Sequence, residues 1–540
     1  MLAHVLTDLR PDGQEDALTF VFAGAVLVGP AEIAGHDGAV DGVHDLGEGD
    51  LLGGPGEDVA AAHAPLGPDQ AGTLQGQEDL LEVGLGQAGA LRDVPHGRRP
   101  EGVSMKGQGE KGATGVVPPG RDFHGPILPG APGVPAGRWG RRPAEGGYSA
   151  AVTDTAAATD TAAVTDTVAD EPVLPDYGGA CLASVVPALL GRSDPESPSW
   201  LPGPAREARQ VVLLVLDGLG WRQLEASRAA APTVASGEGG AITSVVPTTT
   251  ATALTSITTG RPPAEHGVVG YRVRVSGGKG AGDEIMNVLR WRSESGDMRQ
   301  SRPAEEFQKM APFGGVVVPA VTRSEFSSTG FTAAHLAGAQ LVGWSVPSTM
   351  VVEVRRLLGE GEPFIYAYYD GLDKVAHERG LGEHFAQELR TVDRLVGDLI
   401  DVLPGGAGLV VTSDHGQVEV GPSARLPGPE LLAAAVLLSG EGRFRWLHAR
   451  EGAAADLLAA AQEAHGDEAW VRTRQQMVDD GWFGGTLSTE VAHRLGDVAL
   501  VARAPVAFLD PADTGETRLL ARHGSLTAAE MYVPLVAWAN

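Results

Sequence analysis

Between about residues 210 and 415, short stretches that are apolar at every position alternate with stretches whose apolar residues recur every three or four positions. VVLLVL (211–216), AITSVVP (241–247), GGVVVPAV (314–321), PFIYAYYD (363–370) and GLVVTSD (408–414) are of the first kind. A run without a polar side has no face to give to water, so each predicts a strand covered on both faces. TTTATALTSITTG, SSTGFTAAHLAG and HFAQELRTVDRLVGDLIDVL carry the helical period. GLDKVAHERG, which begins and ends in glycine, reads as a loop or turn. Apolar strands separated by helices predict an α/β fold around a mostly parallel central sheet. From 420 to 510 the pattern is less regular, and RFRWLHAR and DVALVARAP predict extra strands in a cap or sheet extension.

Upstream of this alternation the texture changes. No Phe, Tyr or Trp occurs from Ala23 to Asp122, and no Lys occurs before Lys106. Gly, Pro, Ala and Asp dominate, so residues 1–150 have too little apolar surface to offset chain entropy. They are expected to be a disordered segment, or a leader carried in by a misplaced translation start. Residues 153–170 read TDTAAA-TDTAAV-TDTVAD, a repeat too short for a solenoid and suited to a linker over 151–171. The folded domain is expected over 172–540.

A formal charge of −28 argues against nucleic-acid binding, which requires clustered Lys and Arg. No apolar run reaches the roughly 18 residues needed to span a bilayer. Leu18–Val28 (LTFVFAGAVLV) follows acidic residues rather than the basic flank of a signal peptide, so a cytoplasmic location is expected and no membrane partner. The single cysteine, Cys181, excludes an internal disulfide. It opens an amphipathic stretch, CLASVVPALLG, and reads as a small core residue.

Chemistry-bearing residues gather at the ends of the apolar runs. Asp217 ends VVLLVL, where a carboxylate reaches a cation without burying an unpaired charge, although an Asp there could equally cap the next helix. VVPTTTATALTSITTG starts a helix with threonines. A hydroxyl at a helix N-terminus meets the positive end of the dipole, which favours a developing alkoxide; the same threonines could serve only as a cap. Asp373 and His377 stand four apart, the spacing of paired ligands on one helical turn or of an exposed Asp–His hydrogen bond. Asp414 and His415 follow a buried strand, and Gly416 gives the backbone freedom to turn both toward one cation. His523 precedes a glycine and a final apolar strand, as a metal ligand or a cap. Three Asp, three His and one hydroxyl suit two metal trios about 4 Å apart, a pairing that can bind both the attacking and leaving oxygens of an in-line displacement.

The order LDG, PTTTATALTSITTG…HG, D-x-x-x-H, SDHG and HGS resembles the type I phosphodiesterase / nucleotide pyrophosphatase family of the alkaline phosphatase superfamily. The resemblance covers about 175–540. It implies a three-layer α/β sandwich and hydrolysis of phosphodiester or pyrophosphate bonds in nucleotides or related small molecules. A phosphonate or phosphomonoester hydrolase on the same site, or a non-catalytic member, is the alternative. It further implies one Zn²⁺ on Asp217, Asp414 and His415 and a second on Asp373, His377 and His523, with Mn²⁺ as a possible substitute. Thr250, three residues after Pro247, would be the nucleophile through a phospho-threonine intermediate, with Thr249 its nearest rival. His266 belongs to the signature as a structural residue. The sequence departs from the eukaryotic-type members at ATALTS, where they read TFPNHY. Those members also hold a phosphoryl oxygen with a separate Asn, for which Asn287 in IMNVLRW is the candidate. Oligomeric state is not set by any motif.

Overall fold

The structure is a computed structural model that describes His4–Leu9, Glu15–Phe22, Ala25–Gly29, and residues 168–192, 194, 196–277 and 282–540. Two units are distinct, residues 1–146 and 147–540. In the first, the three named strands pair in order as an antiparallel sheet, within the segment expected to be without structure. The rest of the expected leader, and the Thr/Asp/Ala repeat up to residue 167, lie outside the described residues.

In the second unit a seven-stranded sheet is formed by β1 (Gln210–Leu216), β2 (Glu238–Thr243), β3 (Pro319–Arg323), β4 (Gln340–Trp344), β5 (Phe364–Tyr369), β6 (Ala407–Thr412) and β7 (Tyr532–Ala539). Their order is β4-β3-β5-β1-β6-β7-β2. Every adjacent pair from β4 to β6 is parallel; β7 runs antiparallel to both β6 and β2. The sheet is therefore mixed, with one reversed strand. All six residues from Val211 to Leu216 are fully buried, and successive side chains enter different cores. Val211, Leu213 and Val215 join one cluster, and Val212, Leu214 and Leu216 the other. That division follows from the two-residue side-chain period of a strand and makes the three-layer sandwich.

The first layer holds α1 (Thr250–Thr259), whose Ala251, Leu254 and Ile257 belong to the first of these clusters. In the opposite layer, α3 (Glu383–Asp401) buries Phe385, Leu389, Val392, Val396 and Leu399, the expected helical spacing. Cys181 is buried at the start of helix Leu182–Leu190, in accord with a core role. RFRWLHAR and DVALVARAP supply Phe444–Ala449 and Val498–Ala502 to a separate four-stranded antiparallel sheet. A second small antiparallel sheet, unforeseen from the pattern, spans Arg272–Val275, Glu284–Asn287, Arg292–Ser293 and Gly296–Asp297.

Several boundaries differ from the expectation for physical reasons. GLDKVAHERG is a helix, α2 (Gly371–Arg379), rather than a loop. Its glycines are terminal residues: Gly380 has φ +74 just past the last turn. β2 starts three residues before the expected strand because Gly239 permits close approach of β7. A Cβ there would stand 2.1 Å from the Leu535 carbonyl oxygen. Residues 314–318 precede β3, with Gly314 and Gly315 at positive φ and Val316 and Val317 exposed. The edge strand β4 escaped notice because most of its positions lack the apolar burial that marked the others.

Candidate metal centre and active site

The carboxyl ends of β1, β5 and β6 lie side by side, and the chain beyond each supplies part of one site. Asp217 follows β1, α2 begins two residues after β5, and Asp414 and His415 follow β6. His523 comes from the segment leading to β7, and Thr250 is the first residue of α1. Side chains from 300 positions of sequence thus reach one cleft, as parallel strands with aligned ends allow.

The three histidines share one arrangement. His415 Nδ1 lies 3.1 Å from the Gly416 carbonyl oxygen, His377 Nδ1 2.8 Å from that of Ala521, and His523 Nδ1 2.9 Å from that of Thr248. A carbonyl only accepts, so each Nδ1 carries a proton, and Nε2 is the ring nitrogen left beside the carboxylates. Burial first, then neighbouring His415 and His377, holds His523 well below the usual imidazole range and keeps it neutral. Neutral imidazoles with oriented Nε2 atoms are the form that binds a cation.

The carboxylates are arranged to match. Asp414 Oδ1 accepts from the amides of Gly218 at 3.1 Å and His415 at 3.0 Å. Its Oδ2 is buried, lacks a hydrogen-bond partner, and lies 3.4 Å from His415 Nε2. Asp217 accepts from the Tyr368 hydroxyl on Oδ2, while its Oδ1 is also buried and without a partner, 3.4 Å from the same His415 Nε2. Burial, then the charges of Asp414 and Asp373, pushes the Asp217 carboxyl well above the usual range. Two unpartnered buried carboxylate oxygens facing an imidazole nitrogen fit a cation and are costly without one.

The ligand atoms of Asp217, Asp414 and His415 all lie within 4.8 Å of one another, the first trio of the sequence expectation. The second group that meets this spacing is Asp373, His415 and His523, so the donors divide differently from the expected second trio. His377 is adjacent: its Nε2 lies 3.3 Å from Asp373 Oδ2, and its ring is 5.1 Å from that of His523. Gln417 Nε2 donates to Asp373 Oδ1 at 2.5 Å. Sequence reasoning passed over Gln417 and Tyr368, although one lies three residues after Asp414 and the other in the strand preceding Asp373.

The three threonines at the start of α1 are in different situations. Thr248 Oγ1 donates to the Ser525 carbonyl at 2.7 Å and accepts from the Gly524 amide. The Thr249 side chain engages Glu441. Thr250 Oγ1 sits 3.3 Å from His415 Nε2 and lines the cleft with Asp217, Asp373 and His377. His266 is buried away from this cluster. It contacts Ser256 Oγ at 2.8 Å through Nε2 and accepts from the Val268 amide at 3.1 Å. Asn287 does not line the cleft. Its Nδ2 donates to the Tyr271 hydroxyl at 2.7 Å, and its Oδ1 accepts from the Arg290 amide at 3.0 Å.

Two cavities meet at Thr250, Asp373, His377, Leu289, Arg290 and Leu519. One, of about 580 Å³, continues between Leu254, Phe326, Phe331, Tyr366 and Tyr368 and is mainly apolar. The other, of about 340 Å³, continues past Tyr271, Glu441, Glu516 and Arg522. Among the described residues, no helix is long and apolar enough to cross a membrane.

A search of curated proteins finds no match. Solved structures similar to this chain include murine ectonucleotide pyrophosphatase / phosphodiesterase 5 at 16% identity. An inactive variant of that murine protein in complex with AMP, and the human protein, each match at 15% identity. In all three the match covers 61% of this chain and 87% of the other, with a TM-score of 0.45. The model of the family described as type I phosphodiesterase / nucleotide pyrophosphatase matches residues 211–294 and 297–526, more than half of the chain. Those segments hold all seven residues that the sequence put forward as candidate metal ligands and nucleophile. The chain belongs to the type I phosphodiesterase / nucleotide pyrophosphatase family of the alkaline phosphatase superfamily, and is a metal-dependent hydrolase of that type.

Proposed function

We propose that this hydrolase cleaves phosphodiester or pyrophosphate bonds in nucleotides or related small molecules, by way of a phosphorylated Thr250 and two zinc ions. The observation that carries the reading is the Thr250 hydroxyl, 3.3 Å from His415 Nε2 and beside two carboxylates with unpartnered buried oxygens. Asp217, Asp414 and His415 would hold one ion, and Asp373, His377 and His523 the other. His415 stands close enough to Asp373 and His523 to border both. Imidazole nitrogen and carboxylate oxygen in these proportions suit Zn²⁺, with Mn²⁺ a candidate substitute. When bound, zinc supplies Lewis acidity, lowering the pKa of a nearby hydroxyl and screening charge on phosphorus.

The chain's own residues would do the rest. Thr250 begins a ten-residue helix whose first turn no side chain caps, so its Oγ1 lies at the positive end of the dipole. Thr250 Oγ1 gives up its proton to solvent water and bonds to phosphorus while the bond from phosphorus to the leaving oxygen breaks. That oxygen keeps the electron pair and is protonated from solvent. Water then attacks the same phosphorus from the opposite side, the Oγ1–phosphorus bond breaks, and the hydroxyl is restored. A substrate with a substituent on each side of phosphorus matches a cleft that runs both ways from Thr250, which favours a diester over a monoester or phosphonate.

The test compares turnover of bis-p-nitrophenyl phosphate, p-nitrophenyl phosphate and phosphonoacetate by zinc-loaded protein. The diester should be turned over fastest. A clear preference for the monoester or the phosphonate would move the assignment to that substrate class. Thr250→Ala should abolish turnover with metal still bound, and retained activity would move the nucleophile to Thr249 or elsewhere.

A further inference from the structure

Beside the metal cluster, the turn Leu289–Arg290 lines both arms of the cleft. It is held from three directions. The Asn287 side chain accepts from the Arg290 amide and donates to the Tyr271 hydroxyl, tying the turn to the neighbouring strand. The Val288 amide donates to the Tyr271 carbonyl at 2.8 Å. Trp291, which follows, adopts φ +55, a conformation unusual for a bulky residue. It is fully buried: its Nε1 donates to the Arg302 carbonyl at 2.7 Å, and its ring meets Phe307 edge-on at 5.3 Å. Gly330 makes room for it, since a Cβ there would lie 2.4 Å from the indole. Surroundings that enforce such a backbone are a mark of functional placement. Arg290 itself is exposed at the point where the arms join. Its charge acts on Tyr271, whose phenol is pushed up to about 12 by burial and Asp513 against the pull of Arg290.

We infer that Arg290 binds a non-bridging oxygen of the scissile phosphoryl group, and that Asn287 is the positioning residue that sets the Arg290 turn. This rests on the phosphodiesterase reading above and adds a substrate contact to it. A guanidinium where the two arms meet is placed for the one part of a diester common to both arms, the phosphorus and its free oxygens. Its planar donors suit that oxygen better than a point charge would. Asn287 therefore serves substrate binding through the Arg290 main chain rather than by its own amide, both ends of which are engaged within the protein.

The test uses the zinc-loaded full chain and the Rp and Sp diastereomers of thymidine 5′-(p-nitrophenyl) phosphorothioate, with the oxygen diester as reference. Arg290→Ala should lower kcat/KM on the oxygen diester by roughly 10- to 100-fold, the loss of one charge-assisted hydrogen bond, and Arg290→Lys should recover part of it. The ratio of Rp to Sp rates should shift toward unity in Arg290→Ala, a change that a loosened fold would not produce. Asn287→Ala should reduce kcat/KM in the wild-type background and add nothing in the Arg290→Ala background. An Arg290→Ala enzyme with wild-type kcat/KM, or with an unchanged Rp to Sp ratio, overturns the phosphoryl contact. Equal losses from Asn287→Ala in both backgrounds overturn the positioning role. If the wild-type enzyme fails to turn over the oxygen diester at all, the phosphodiesterase reading falls first.

Discussion

Replacing Asp414 by Asn should stabilise the metal-free protein and remove most of the stabilisation that zinc gives. Asp217 and Asp414 bring carboxylate oxygens within 4.8 Å of each other in a fully buried site. At an effective dielectric constant near 20, two unit charges at that distance repel by about 3 kcal/mol. That is an upper figure, because proton uptake by Asp217, whose pKa is raised by burial and Asp414, relieves part of the repulsion. The asparagine oxygen can retain the amide bonds from Gly218 and His415, and its nitrogen can donate toward His415 Nε2, so the local fold has no reason to collapse. At roughly 2.1 cal/mol/K per residue, unfolding about 370 residues has an entropy near 0.8 kcal/mol/K, so relief of 3 kcal/mol raises Tm by about 4 °C. Zinc at 100 times its Kd stabilises the wild type by about 2.7 kcal/mol, or a little over 3 °C on the same scale. The variant should lose most of that gain. Differential scanning fluorimetry with EDTA and with excess zinc gives all four melting temperatures. A variant that melts below wild type in EDTA, yet gains as much from zinc, would refute the reasoning.

EDTA should eliminate turnover and zinc should restore it, measured by p-nitrophenol release; indifference to chelation would count against every metal assignment made above. Stability should fall as pH drops below about 6.5, because burial, aided at His266 by Arg494 and at His448 by nearby cations, depresses the folded-state pKa of His266 to about 3, His335 to about 4 and His448 to about 3. The folded state binds fewer protons than the unfolded chain in that window, so each contributes a loss of about 2 kcal/mol at pH 5; a Tm unchanged between pH 7.5 and 5 would contradict this. Removing residues 1–167 should leave kcat and Tm near their original values. Removing 1–175 should lower Tm, since it also strips the Ala169–Arg503 and Val173–Leu526 backbone bonds and the Trp470 Nε1 bond to Asp170. Equal melting temperatures for the two truncations would show that this strap adds nothing.

The candidate donors could be picked out of the sequence because each sits in a short local pattern. Asp217 and Asp414 end strands that are apolar throughout, and the start of α1 is marked by Pro247 and a threonine cluster. Such strands must lie inside a covered sheet, so the α/β class and the sheet edge where the candidate donors gather followed from side-chain pattern alone. The Gly-bounded GLDKVAHERG was misread because nine residues show too little periodicity to outweigh glycines at each end. The start of β2 was obscured because its need for Gly239 arises from β7, almost 300 positions away. Only the tertiary structure could decide how the donors group, with His415 close to both sets. It alone fixed the protonated nitrogen of His377 and His523, whose Nδ1 partners at Ala521 and Thr248 lie 144 and 275 positions distant. Strand burial is written into neighbouring residues. Coordination geometry and proton placement depend on atoms that chain folding alone brings within 3 Å.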